Sequence, residues 1–152
     1  MIKTSLYCEN IMSEMNEKLN VNNDLNLMGI NLTDVEMMNV IFKDCNLMNA
    51  IFSGSNLMRC NFINSNLMNA DLVNANLMFS NFTGAVLRWV DLRGADLMCA
   101  DFIGADLRDA DLRGADLRCA NFTGANLQYA DLRDTDMTET IFLNAKMMNV
   151  KK

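Results

Sequence analysis

The chain has 152 residues, a formal charge of −6, 51% hydrophobic residues and no histidine or proline. That length suits one domain, and the acidic balance argues against nucleic acid or an anionic membrane as a direct partner. Without histidine there are no Ser-His or Cys-His nucleophilic pairs and no histidine-bearing metal sites.

The start of the chain, Met1 to Cys8, lacks a long apolar stretch, and bulky Leu6 and Tyr7 before Cys8 suit neither cleavage nor lipidation. No apolar run reaches the roughly 18 residues of a membrane span, so a cytoplasmic location is expected. The five cysteines are odd in number and never at C-x-x-C spacing, which reads as reduced thiols. Within residues 1–24, Tyr7, Ile11, Met15 and Leu19 recur every four positions with Cys8 and Met12 beside them, while Glu9, Glu14, Glu17 and Lys18 would face water. This pattern predicts a short amphipathic α-helix. Thr4 or Ser5 can cap its start and the stretch from Asn20 to Asp24 can end it.

From Leu27 to Met147 every fifth residue is Leu, Phe or Met, giving 25 consecutive pentapeptides in one register. A period of five fits neither a helix nor a strand; it fits a solenoid that turns a corner every five residues. Two residues before each such centre stands a small residue, Ala at most positions from 70 to 130, and one before it stands Asn or Asp. The centre and the small residue are expected to point inward as a large-plus-small pair. The other three face out, with the two after the centre free to vary. Phe takes the centre at 42, 62, 82, 102, 122 and 142, every twenty residues, with Phe52 alone outside the series. Four pentapeptides therefore make one coil, and a core Phe ladder runs through Phe42, Phe62, Phe82, Phe102, Phe122 and Phe142. Gly54, Gly94 and Gly114 on one face, and Gly84, Gly104 and Gly124 on the opposite one, follow the centre where a corner needs φ > 0.

Segments such as Gly94-Ala95-Asp96-Leu97 and Gly114-Ala115-Asp116-Leu117 carry a pattern that resembles the pentapeptide-repeat family, over residues 25–149. The resemblance implies an all-β solenoid, a right-handed quadrilateral β-helix, here of about six four-sided coils with coils about 4.8 Å apart. Residues 1–24 would cap its first coil, and residues 150–152 form a tail. Val35, Val40, Val90 and Thr140 in the small slot, and Ile41, Ile51, Val86, Ile141 and Lys146 in the Asn/Asp slot, predict less regular coils. After Phe142 only Lys146, Met147, Met148 and Val150 remain to cover the last coil, and the resemblance implies a homodimer formed end to end there.

Outward ladders divide the rod. Met28, Met48 and Met68 lead to Arg88 and Arg108; on the opposite face Met38, Met58, Met78 and Met98 lead to Arg118. Exposed Met stripes suit adaptable protein contacts, but packing against their own neighbours one coil away comes first, because it needs no partner. Asp71, Asp91, Asp111 and Asp131 share one line, and Asp96, Asp116 and Asp136 another, diluted by Arg93, Arg113 and Arg133. These lines either hydrogen-bond corner amides or imitate duplex phosphates. Since Asn fills the same slot without charge, the structural role comes first. Cys99 and Cys119 stack one coil apart at a spacing of about 4.8 Å, longer than the roughly 3.5–4.5 Å that a disulfide prefers between Cβ atoms, so free thiols are expected. Cys45 and Cys60 occupy the small inward slot. No catalytic, cofactor or metal site is read, and an enzyme is not expected. The leading reading is a protein-binding or scaffold rod of unknown partner. The alternative, which the resemblance implies, is a DNA mimic that binds a type II topoisomerase such as gyrase.

Overall fold

A computed structural model describes residues 25–152; the helix expected over residues 1–24 lies outside the described residues. Each pentapeptide contributes one short extended stretch and one turn. The residue before each centre forms a parallel bridge with the residue twenty positions on: one such line runs Asn26, Asn46, Asn66, Val86, Asp106, Asn126, Lys146 and another Asn31, Ile51, Asp71, Asp91, Asp111, Asp131, Lys151. The chain is thus a four-sided β-helix with twenty residues per coil.

Asp96 to Ala100 shows how the pentapeptide satisfies its backbone. Asp96 N–H donates to Ala75 O of the preceding coil (3.0 Å), Leu97 N–H to Asp116 O of the next (2.8 Å) and Cys99 N–H to Arg118 O (2.9 Å). Ala100 N–H closes the turn onto Leu97 O at 3.0 Å. The remaining amide, Met98 N–H, donates to Oδ1 of Asp96 at 3.1 Å. All five N–H groups are used, as buried backbone demands, and the fifth explains the recurring Asn or Asp: its carboxylate or amide oxygen is the only acceptor that the corner amide meets. The same bond recurs at Met28, Met68, Thr83 and Arg113 with Asn26, Asn66, Asn81 and Asp111.

Inside, the centres and small residues are buried as expected. The Phe rings stack parallel, with centroids 4.9, 4.8, 4.8 and 4.7 Å apart from Phe42 to Phe122. Phe52, outside the column, meets Phe42 edge-on at 5.8 Å. Where the small residue is polar it bonds a carbonyl: Ser55 Oγ donates to Leu32 O (2.6 Å), Ser65 to Phe62 O (2.7 Å) and Ser80 to Leu57 O (2.9 Å). Cys45 and Cys60 are buried there too, and burial pushes the Cys60 thiol up to about 12.

Two expectations need correction. The coils carrying Ile41, Ile51, Val86, Ile141 and Lys146 are as regular as the rest, since each of these residues keeps its bridge. Their side chains point outward and pairing runs through the backbone, so only the corner amide loses its acceptor. The two residues after the centre are not equally free. The second has φ between +54° and +69° at all 25 corners, the region that Gly, Asn and Asp tolerate best. At Gly54, with φ +69°, an added Cβ would also collide with Asp34 Oδ1.

The pairing continues into the segment expected as a tail, where Lys151 bridges Asp131 and Val150 packs against the core. In this last layer Met137, Phe142 and Met147 are only partly buried, and the Phe142 ring lies 5.4 Å from that of Phe122. Phe102→Ala is therefore expected to cost about 3–5 kcal/mol in urea unfolding, and Phe142→Ala distinctly less; equal costs would show that the column does not end in an open layer.

Candidate interaction surface

With the interior spent on packing, any function rests on the outward residues. The acidic lines come first. Asp91 receives Arg93 through Nε at 2.8 Å and Nη2 at 2.7 Å, and Asp111–Arg113, Asp131–Arg133, Asp106–Arg108 and Asp116–Arg118 repeat the same fork within one pentapeptide. Contacts between coils tie the line further: Arg93 lies 3.8 Å from Asp111, Arg113 4.0 Å from Asp131 and Lys151 3.8 Å from Asp131. Asp91, Asp111 and Asp131 are thereby matched by Arg93, Arg113, Arg133 and Lys151, while Asp71, followed by Val73, has no cation partner among the described residues. From Asp91 on, the line is a zwitterionic ladder, and the Oδ1 atoms of all four aspartates also hold corner amides. On the adjacent face Asp96 and Asp136 cap Met98 and Thr138, and Asp116 pairs with Arg118.

The arginine forks hold the carboxyls of Asp106, Asp111 and Asp116 below the ordinary range, and that of Asp131, which is buried, down to about 2.

The methionine stripes are mostly half-buried. Met28 and Met38 are exposed, whereas Met48, Met58, Met68, Met78 and Met98 pack along their ladders. Cys99 and Cys119 are free thiols, and Cys119 Sγ lies 3.4 Å from Glu139 Oε2, which pushes its thiol up to about 11.

Of the corner residues, the sequence singled out Gly54, Gly84, Gly94, Gly104, Gly114 and Gly124 for a positive φ, and the bulky ones were missed. Of the 25 left-handed residues, 18 are Gly, Asn or Asp; the others are Arg59, Phe79, Trp89, Cys99, Cys119, Tyr129 and Glu139. The exceptions are not scattered. Arg59, Phe79, Cys99, Cys119 and Glu139 stand consecutively on one corner line, twenty residues apart, and Trp89 and Tyr129 stand on the opposite one. The two corners between carry only Gly, Asn and Asp. Phe79, Trp89 and Tyr129 are 45%, 47% and 50% exposed, and guanidinium groups pack on two of them, Arg59 over Phe79 at 5.6 Å and Arg88 over Trp89 at 4.2 Å. The signal in the sequence was the departure from Gly, Asn and Asp at every fifth position, visible only once that position is known to be left-handed.

Family models agree with this architecture. One described as a pentapeptide repeat region matches residues 35–112, and one described as pentapeptide repeats (8 copies) matches residues 115–151. The chain belongs to the pentapeptide-repeat family. Members of this family fold as right-handed quadrilateral β-helices. No curated protein matches the chain. Among solved structures, a pentapeptide repeat protein (Rfr23) from the cyanobacterium Cyanothece 51142 matches at 27% identity and TM-score 0.69, over 86% of this chain and 98% of that one. A pentapeptide repeat protein from the Arabidopsis thaliana thylakoid lumen matches at 27% identity and TM-score 0.62, over 70% of this chain and 71% of that one. Among the described residues no helix is long and apolar enough to cross a membrane.

The pairing of pentapeptide carboxylates makes stability pH-dependent. A carboxyl whose folded value lies below its unfolded value of about 3.9 stabilises the fold above that pH. The contribution is lost as pH falls from about 4 towards 2. The unfolding midpoint should drop across this window, and less steeply in an Arg113→Gln/Arg133→Gln variant; an equal drop would remove the pairs as its cause. The corner strain has its own test. Tyr129→Asn and Tyr129→Ala remove the same ring, but only Asn tolerates the left-handed region, so the Asn variant should be more stable by about 1 kcal/mol in urea unfolding. Equal stability would show no strain at that corner.

Proposed function

We propose that this pentapeptide-repeat protein is a non-catalytic rod that binds a partner protein along its corners. The observation that carries the reading is the clustering of every strained, side-chain-rich corner residue on two opposite lines. Left-handed residues other than Gly, Asn and Asp cost stability, and such positions concentrate where they serve binding. Half-exposed aromatics with stacked arginines are the residue types that dominate protein interfaces. The convex outside offers extended contact with another macromolecule, and the half-buried methionine ladders beside the corners supply adaptable apolar surface. A cytoplasmic setting goes with this reading, given the odd number of cysteines and the free thiols of Cys45, Cys60, Cys99 and Cys119.

The DNA-mimic alternative, with a type II topoisomerase as partner, needs rows of uncompensated charge. It is the weaker reading because three of the four carboxylates in the best-aligned row, Asp91, Asp111 and Asp131, are each paired with a cation, and only Asp71 is left without one among the described residues. An end-to-end homodimer accompanies the binding-rod reading: the last layer leaves Met137, Phe142 and Met147 partly open, with Leu143 62% exposed beside them.

Capture from the native cell extract tests the binding reading. The wild-type rod should retain a specific protein that a variant with Asn at 59, 79, 89, 99, 119, 129 and 139 fails to retain. Equal retention by both would overturn it. Sedimentation at micromolar concentration should give twice the 17.1 kDa chain mass; the monomer mass alone would exclude the dimer.

A further inference from the structure

Five ladder arginines, Arg93, Arg108, Arg113, Arg118 and Arg133, stand two residues after an aspartate and are forked onto it. Arg88 stands in the same slot, two residues after Val86, and the valine offers it nothing. No carboxylate among the described residues lies within ion-pair distance of Arg88. Its Nε is the one buried side-chain nitrogen or oxygen among them without a hydrogen-bond partner. The amide of Arg88 also lacks the side-chain acceptor that caps its counterparts. In place of a carboxylate the guanidinium lies on the indole of Trp89, 4.2 Å from the ring centroid. Trp89 is held at φ +57° and is 47% exposed. Met68, one coil earlier on the same line, and Val86 are half-buried beside them.

A donor left without an acceptor is a standing cost, and a planar guanidinium fork matches a carboxylate through two parallel hydrogen bonds, as the five forked arginines of this chain show. We propose that Arg88 and Trp89 form an anchor for an acidic segment of a partner protein, an Asp or Glu side chain taking the place that Asp106 takes for Arg108. The indole and the flanking Met68 and Val86 supply the apolar contact around it. The occupant is a protein rather than a small anion because the convex rod encloses nothing here, so affinity must come from contact spread along a segment. A carboxylate paired side-on with Nε and Nη2 draws the guanidinium off the indole. This inference rests on the binding-rod reading and names the chemistry of its partner.

Trp89 is the sole tryptophan of the chain, so its emission reports the site directly. Hexaglutamate peptide, titrated at physiological ionic strength to screen the overall negative charge, should change that emission saturably, and hexaglutamine should not. Arg88→Gln should weaken binding at least tenfold, as should Val86→Asp, which supplies the carboxylate from within the chain. Arg108→Gln should bind as the wild type does. Val86→Asp should unfold at a midpoint no lower than that of the wild type, which separates lost binding from lost folding. The proposal is overturned by no saturable change in the wild type, by unchanged binding in Val86→Asp, or by an equal response to inorganic phosphate at the same concentration. Any of these leaves the binding-rod reading standing, since the capture experiment judges that reading separately.

Discussion

The vertical register of twenty residues is the constraint on which the rest of the molecule depends. It places Phe over Phe, Ala over Ala and a carbonyl of one coil opposite an amide of the next. The parallel rings, 4.7–4.9 Å apart through most of the column, have the spacing at which in-register strands pair. Packing and hydrogen bonding therefore ask for the same repeat, and neither has to yield. Agreement of that kind favours one structure over its competitors. The same register carries through Phe142, the last ring of the series, whose layer is only partly buried.

A second constraint follows from closing the coil. Four corners every twenty residues require four left-handed residues per coil, and each corner leaves one amide without a main-chain partner. Asn and Asp answer the second need from the slot before the centre; Gly, Asn and Asp answer the first from the slot two after it. A fold this repetitive has little freedom left. Variation is confined to outward side chains, and where they break a local rule the break carries information. The bulky left-handed residues break one rule and Val86 breaks the other. Trp89 and Arg88 adjoin both breaks, which is why the partner anchor is placed there.

Much of the fold was legible in the sequence because the centre, the small residue and the Phe series each recur at a fixed interval, and an interval in sequence is a position in space once the coil length is known. The structural role of Asn and Asp was legible for a related reason: Asn46 and Asp106 share a slot but not a charge, so charge cannot be what the slot requires. The corner was legible only where it carries Gly, as at Gly104; that Trp89 and Tyr129 share its left-handed dihedral angle was not, because their side chains have nothing in common with glycine. The Asp–Arg forks were likewise only half visible. Sequence spacing puts Arg113 two residues after Asp111, but that the pair closes within one pentapeptide depends on both side chains leaving the same side of the strand. The irregular coils expected at Ile41 and Val86 did not materialise for the converse reason: outward side chains do not touch the register.

The register itself can be measured by deletion. Removing residues 103–122 takes out one whole coil and leaves Phe102 stacked on the ring that follows it. Removing residues 103–107 takes out a single pentapeptide, keeps every later centre pointing inward, and turns all later coils by one face, so that the Phe column is broken. In urea unfolding the twenty-residue deletion should lose less stability than the five-residue one, although it removes four times as much chain. If the shorter deletion proves the more stable of the two, the vertical register is not the constraint that holds this protein together.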